Sequence, residues 1–376
     1  MAKHSLRNFF RKLFVALNVT IGICFILSCY ATELNQGDYW FTGLFPLGGI
    51  YFLATLIVFI FLWLLVKPFY LSLISILSIF ICFKPMQNLI AFRINNPFEL
   101  KKNYKDIRIM SWNVEHFEIL QHDDHPELKT KMIELINQYQ PDIACFQEMV
   151  SGDDKKKSIN VTTDFSKQLK MYQYYYSFDP KLDYDNYHHF GIVIFSKYPI
   201  IDTATIKSGQ HDYNSIFQYI DIVANSDTFR VFNIHLQTLR FSNNDKRFIY
   251  DPLSSNDDDI KASKNILLKF KRSFIKRHRQ VDRIASAIKQ SPYPVILCGD
   301  FNDVPNSYAY KKIDNLLHNT FVENGSGIGN TYSGITSTLR IDNIFIDQKF
   351  QTTQFTRVKK RLSDHYPIIS DIRLKK

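Results

Sequence analysis

Apolar and polar positions follow two regimes along the 376 residues, and the change falls near residue 92. The first regime holds three apolar runs with almost no charge, at 13–32 (LFVALNVTIGICFILSCYAT), 44–66 (LFPLGGIYFLATLIVFIFLWLLV) and 68–83 (PFYLSLISILSIFICF). About 20 apolar residues cross a bilayer as a helix, so the first two runs predict membrane spans. The third is short and predicts either a thin span or a re-entrant piece. Lys3, Arg7, Arg11 and Lys12 precede the first run. A basic start before one apolar run also describes a cleaved signal peptide, but two further apolar runs follow at once and favour an anchor.

The second regime alternates short apolar runs, turns and charged helical stretches. Strands are predicted over 107–113 (IRIMSWN), 142–147, 189–196, 217–223, 228–235, 294–298, 339–346 and 366–372. Helical spacing covers 128–139 and 261–283, while 151–164 and 240–259 read as loops. Many strands with few helices predict an α/β domain whose core lies between two sheets, with helices outside. The expected organisation is a transmembrane region at 1–92, a connector at 93–105 and a soluble domain at 106–374.

Charge sets the topology. The loop 33–40 has no Lys or Arg, whereas Lys67 separates the second and third runs. An excess of cytoplasmic positive charge places the amino terminus and Lys67 inside and the first loop outside. Three spans then leave the soluble domain extracytoplasmic, on the periplasmic side. If the third run does not cross, the domain is cytosolic, a reading favoured by Lys84, Arg93, Lys101 and Lys102.

Net charge is +10, yet only part of it lies in the soluble domain. Beyond residue 100 there are 39 basic against 33 acidic residues, and nine of the basic ones fall in 261–283. That stretch reads as an amphipathic helix with a solvated basic face, or as a surface for phosphate-rich partners or anionic head groups. Cys145 and Cys298 end strand-like runs where buried free thiols are expected. The other three cysteines lie in the apolar runs, and no disulfide framework is visible.

Candidate chemistry collects at strand ends. Asn113 stands in SWNVEHF, Gln147 and Glu148 in DIACFQEM, His235 and Gln237 in FNIHLQT, and Asp300 and Asn302 in VILCGDFNDVPNS. Asp364 and His365 are neighbours in RLSDHYPII. Adjacent strand residues point to opposite faces, so these two cannot form a single couple. Asp342 interrupts the apolar strand RIDNIF, where an unpaired carboxylate is expensive to bury. Singly, each residue is ordinary turn chemistry. Together they form a set able to cleave a phosphate ester with a hard metal. Glu148 and Asn113 offer oxygen ligands suited to Mg²⁺, Asp300 can orient and deprotonate a water, and two histidines can stabilise phosphate charge and protonate the leaving oxygen. The chain has no HExxH or Cys/His cluster for zinc and no Gly-rich phosphate loop after a strand.

The ordered set WN…QE…HLQ…GDFN…RIDNIF…SDH resembles the endonuclease/exonuclease/phosphatase superfamily, over about 106–374. The resemblance implies a four-layer α/β sandwich, two packed mixed sheets flanked by helices, with the site at one end. It implies Mg²⁺, with Mn²⁺ as a substitute, held mainly by Glu148 with Asn113 and Asp364 beside it. It gives Asp300 and Asn302 the attacking water and phosphoryl oxygens, His235 and His365 the phosphate charge, and Asp342 the orientation of His365. His235-Leu236-Gln237 is closer to the deoxyribonuclease and sphingomyelinase branches than to the abasic-site enzymes, which carry a Tyr there. The chain therefore reads as a membrane-anchored phosphodiesterase or phosphomonoesterase, its partners being the lipid bilayer and a phosphate-ester substrate. A phospholipid head group, a small phosphodiester and nucleic acid all stay open as substrate. A tethered nuclease is the nearest alternative and a non-catalytic phosphate-binding scaffold the second; no obligate protein partner is evident.

Overall fold

The computed structural model describes residues 2–34, 38–93, 97–117, 124–152, 160–180, 187–207, 216–239, 257–334 and 336–375, with positions 158, 183, 241, 242, 245 and 247 between them. The chain forms two units, Met1–Ile90 with Val304–Tyr308, and Ala91–Asp303 with Ala309–Lys376.

In the first unit, α1 (Ala2–Tyr30) and α2 (Leu44–Leu65) are followed by α3 (Ser72–Ile81) and α4 (Phe83–Leu89). Leu6–Tyr30 and Trp40–Leu65 are long and apolar enough to cross a membrane, at 25 and 26 residues. At 1.5 Å per residue each reaches about 37 Å, more than a hydrocarbon core of about 30 Å. The third apolar run is broken: Phe69–Ile81 and Phe83–Leu89 meet at a 74° bend. Small residues bring α1 and α3 together. A Cβ on Gly22 would lie 2.6 Å from Ser78 Oγ, and Ser75 Oγ donates to the buried Asn18 Oδ1 at 2.8 Å. That bond satisfies a polar group where no water is at hand.

The second unit is a four-layer α/β sandwich. One six-stranded sheet contains β2 (Ile107–Asn113), β3 (Ile143–Gly152), β4 (Gln173–Phe178), β5 (His188–Ser196), β13 (Phe350–Arg357) and β14 (Ile368–Leu374), in the order β13-β14-β2-β3-β5-β4. The other contains β6 (Ile200–Lys207), β7 (Ile216–Ala224), β8 (Asp227–His235), β9 (Val295–Asp300), β10 (His318–Asn319) and β12 (Asp342–Ile346), in the order β10-β12-β9-β8-β7-β6. A two-stranded ribbon joins β1 (Ala91–Phe92) to β11 (Ser326–Gly327). The pairs β2–β3 and β8–β9 are parallel and the other pairs antiparallel, so both sheets are mixed.

Isoleucines, a valine and cysteines at alternate positions of both sheets interdigitate between them, Ile109, Cys145, Ile220, Val231, Ile296 and Ile344 among them. The opposite side chains of β2, β3 and β5 pack on α5 (Glu127–Tyr139) and α6 (Thr162–Gln168), through Met132, Leu135, Ile136 and Phe165. Strands buried on both faces read as unbroken apolar runs. The basic helix α7 (Asp257–Lys289) is longer than its predicted 261–283 because apolar spacing continues through Ile284 and Ile288, both buried. Cys145 and Cys298 are buried and unpaired, and burial, then the neighbouring Cys298, pushes the Cys145 thiol up.

Six strands escaped the sequence pattern: the two-residue β1, β10 and β11, and the longer β4, β6 and β13. All are at sheet edges, where one side meets solvent and the alternation fades; β13 has one buried residue in eight. Of the predicted loops, 151–164 instead carries the end of β3 and the start of α6, with 153–157 and 159 outside the described residues. Of the loop predicted over 240–259, residues 257–259 instead open helix α7, and most of 240–256 is outside the described residues.

Across β2 and β14, Arg108 and Asp371 are direct register partners. Arg108 Nε and Nη2 donate to the two carboxylate oxygens at 2.7 and 2.8 Å, and the remaining donors reach the carbonyls of Glu99, Leu100 and Tyr139 at 3.0, 2.7 and 2.9 Å. Both side chains are buried. Removing one partner strands the other charge, so Asp371→Ala is expected to cost about 3–5 kcal/mol. Equilibrium denaturant unfolding followed by near-ultraviolet circular dichroism checks this. A loss under about 1 kcal/mol, the range of an exposed pair, would show that the pair does not hold this region.

Candidate functional site

The inter-sheet core changes character along its length. Alternate residues of β2 read Ile107, Ile109, Ser111, Asn113, and those of β3 read Ile143, Cys145, Gln147. On β8 they read Phe229, Val231, Asn233, His235, and on β9 Ile296, Cys298, Asp300. The antiparallel β12 gives the same series backwards, Ile346, Ile344, Asp342. Successive side chains alternate faces, so a row that is apolar at one end delivers a polar residue at the other. The sheets are already bonded one step before the end, where Gln147 Nε2 donates to Asn233 Oδ1 at 2.7 Å.

The terminal layer is a cluster. Asn113 Nδ2 donates to Glu148 Oε1 and to Asp300 Oδ2, both at 3.1 Å. Asp300 is the register partner of His235 on β8 and of Asp342 on β12. His235 Nε2 lies 3.5 Å from both Glu148 Oε1 and Asp300 Oδ2, at the limit of hydrogen-bond distance from each. His365 Nε2 lies 3.7 Å from Asp300 Oδ2, while its Nδ1 is 2.8 Å from Asp342 Oδ2. Asn302 closes the turn after β9: its N–H donates to Asp300 Oδ1 at 2.7 Å and its Nδ2 to Leu236 O at 3.1 Å.

Local backbone makes these placements possible. β3 carries an irregularity between Phe146 and Met149, and Glu148 has φ 52°. A bulge re-aims a side chain that a regular strand would send elsewhere. Gly299 has φ +152°, and a Cβ there would lie 2.0 Å from Ile234 O; only glycine lets β9 approach β8 this closely beside His235 and Asp300. His365 is held by its main chain. Its carbonyl accepts from Trp112 Nε1 at 3.0 Å, its N–H donates to Ser363 Oγ at 3.1 Å, and Ser363 Oγ donates to Asn113 O at 2.8 Å.

The eight residues that the sequence motifs single out, Asn113, Glu148, His235, Asp300, Asn302, Asp342, Asp364 and His365, lie at one end of the sandwich. Two neighbours outside that set join them. Glu115 Oε2 accepts from the Asp364 N–H at 2.8 Å, and His116 Nε2 lies 3.7 Å from Glu148 Oε2. Glu115, His116 and Phe117 have φ of 44°, 64° and 53°, a left-handed turn that folds SWNVEHF back on the site. Both residues stood in the quoted motif, but nothing in residue type foretells such a turn.

Charge distribution separates two kinds of group. Burial raises the Glu115 carboxyl above its ordinary range, and Asp364 and Glu148 add to this. Burial also raises Asp364; His365 opposes this, but Glu148, Asp300 and Asp342 add to it. Acids that repel one another in a partly closed place suit a hard divalent cation with oxygen ligands, so Glu148, Asn113 and Asp364 fit such an ion. Asp300, Asp342 and His365 also offer ligand atoms within 4.8 Å of one another, but Asp342 Oδ2 is engaged by His365 Nδ1. Burial alone would lower His365. The Asp342 and Asp300 carboxylates outweigh it and lift the imidazole well above its usual range, whereas His365 and His235 hold Asp300 below the usual carboxylate range despite burial.

A profile of the Endonuclease/Exonuclease/phosphatase family matches residues 110–365, and the chain belongs to this family. Residues 11–89 match a separate profile, a Domain of unknown function (DUF8431). Comparison with curated proteins gives no match. Among solved structures, an endonuclease/exonuclease/phosphatase from Beutenbergia cavernae superposes with a TM-score of 0.52 at 16% identity, over 72% of each chain. The human Nocturnin catalytic domain with bound sulfate gives 0.51 at 18%, covering 73% of this chain and 95% of its own. The enzyme-family protein from Bacteroides vulgatus gives 0.51 at 16%, covering 72% and 99%. At such identities the likeness concerns the fold.

Asp342→Asn removes the nearest carboxylate that keeps His365 protonated. Activity that needs the imidazolium falls as pH rises through the folded-state pKa, which is raised above the ordinary value of about 6.5. The variant should therefore lose roughly 10- to 100-fold in rate, as partners of site residues do, and its alkaline limb should move to lower pH. A rate–pH profile of both proteins tests this; an unmoved limb would remove Asp342 from the account.

Proposed function

We propose that the chain is a membrane-anchored, Mg²⁺-dependent phosphoesterase that hydrolyses phosphodiester bonds by in-line attack of water on phosphorus. The observation that carries the reading is the meeting of Asp300, His235 and His365 with the Asn113–Glu148 pair. Glu148, with Asn113 and Asp364, would hold the Mg²⁺, which when bound neutralises charge on phosphoryl oxygens. Asp300, kept ionised by two histidines, orients the water and accepts its proton. Asn302 fixes the Asp300 carboxylate through two hydrogen bonds. His365 and His235 present N–H groups to the charge that develops on phosphate. Fixed donors of this kind need no reorganisation during reaction.

The apolar helices support a membrane anchor. With positive charge at both the amino terminus and Lys67, the reading places these inside, and a third crossing would put the catalytic domain outside. The modest charge excess of the soluble part favours a lipid head group or small phosphodiester as substrate. One feature favours a nuclease as the second reading. Helix α7 borders the site, with Arg277 Nη1 donating to Asn302 O and Lys276 Nζ to Gln237 Oε1 at 3.3 Å. Its Lys264, Lys271, Arg272, Arg279 and Arg283 are exposed and could follow several backbone phosphates.

Hydrolysis of bis(p-nitrophenyl) phosphate by the detergent-solubilised full chain is expected with Mg²⁺. Glu148→Gln should need more Mg²⁺ for half-maximal rate, and His365→Ala should be nearly inactive. Wild-type turnover no higher than that of His365→Ala, with any divalent metal, would favour a binding scaffold.

Substrate class is read from plasmid DNA, RNA and mixed phospholipid vesicles assayed side by side. Vesicle lipid is expected to be cleaved. Nucleic-acid cleavage that weakens steeply between low and physiological salt, with vesicles untouched, would establish the nuclease instead.

A further inference from the structure

We infer that the first unit carries a binding site for an anionic phospholipid, built from residues that take no part in the phosphoesterase chemistry. A pocket of about 440 Å³ opens between the start of α1 and the end of α2, lined by Arg7, Phe10, Arg11, Phe14, Leu62, Trp63, Val66 and Lys67. That volume lies in the range of small-ligand sites, about 300–1,000 Å³. Arg7, Phe10, Arg11 and Phe14 recur at helical spacing and share one face of α1. Leu62, Trp63, Val66 and Lys67 come from the last turn of α2 and the residues after it.

Three features specify the ligand. Arg7, Arg11 and Lys67 give three cations, and none has an ion pair among the described residues. Glu33 and Asp38, the acids of residues 1–90, stand in the connection at the opposite ends of both helices. Trp63 is 4% exposed, and its indole N–H has no hydrogen-bond acceptor among the described residues, although buried donors normally find one. The rest of the lining is apolar and open to the outside, with Phe10, Phe14, Leu62 and Val66 each more than 40% exposed. A phosphate group would neutralise the cations and accept from the indole, while its acyl chains lie along the exposed phenylalanines, leucine and valine. Arginine's fork suits a phosphate, and aromatic rings with a polar edge suit the bilayer interface. A soluble anion would leave the apolar lining unused, so the site selects a lipid and not a free phosphate.

The inference rests on the membrane anchor proposed above, and its test separates the two. Full-length protein in neutral detergent is titrated with phosphatidylglycerol or phosphatidylcholine of identical acyl chains, and retained lipid is counted by native mass spectrometry. Wild type should hold one phosphatidylglycerol at least about tenfold more tightly than phosphatidylcholine. Arg7→Gln/Arg11→Gln/Lys67→Gln should abolish the preference, and Trp63→Phe, which keeps the ring and loses the donor, should weaken it several-fold. Equal retention of the two lipids by wild type, a preference that survives the triple substitution, or displacement by millimolar inorganic phosphate would each overturn the site. The wild-type comparison holds even if the triple variant does not fold. Alkaline carbonate extraction of wild-type membranes reports on the anchor itself, and release there would sink the anchor reading first.

Discussion

One side-chain amide holds the functional end of the sandwich together. Asn113 belongs to one sheet, and it bonds Glu148 of its own sheet and Asp300 of the other. Asn302 fixes the Asp300 carboxylate from its own turn, and the Asn113 amide ties it to Glu148 across the gap between layers. The spacing of two packed sheets, about 10 Å, is set by the side chains that fill it. The chemistry is therefore tuned by Ile109, Cys145, Val231 and Ile296, none of which touches it. A volume change in that row alters the separation of the polar layer above.

Burial makes the charge balance of this layer unforgiving. Asp300 and Asp342 are 1% and 2% exposed, and ionised carboxylates so placed must be compensated. His365 does this for both, one nitrogen toward each. Its ring has little freedom to leave because its main chain is fixed by Trp112 and Ser363. Trp112 in turn belongs to the apolar cluster beneath α5 and α6. A helix on the outer face thus helps define where an imidazole points on the inner one.

Much of this was legible in the residues, because a strand writes its two faces at alternate positions. The polar ends of IRIMSWN, FNIH and VILCGD stand out against their own apolar rows. So does Asp342 in RIDNIF, and its pairing with His365 resolves the SDH puzzle, leaving Asp364 to the acidic side of the cluster. What the pattern could not carry was the edge and the turn. β4, β6 and β13 bury too little to show an alternation. Glu115 joins the site through three consecutive left-handed residues, a conformation that residue type favours at His116 but not at Glu115 or Phe117. The Glu148 bulge is equally silent in sequence.

That bulge has an evolutionary corollary. A strand with one residue too many gives up ladder bonds and accepts a strained backbone at Glu148. Shortening β3 by that single residue would regularise the sheet and improve its pairing. Selection acting on robustness alone would therefore tend to erase it. A variant of β3 shortened by that residue would trade the Glu148 placement for a regular ladder, so the sheet's pairing and the carboxylate's position cannot both be improved by the same change.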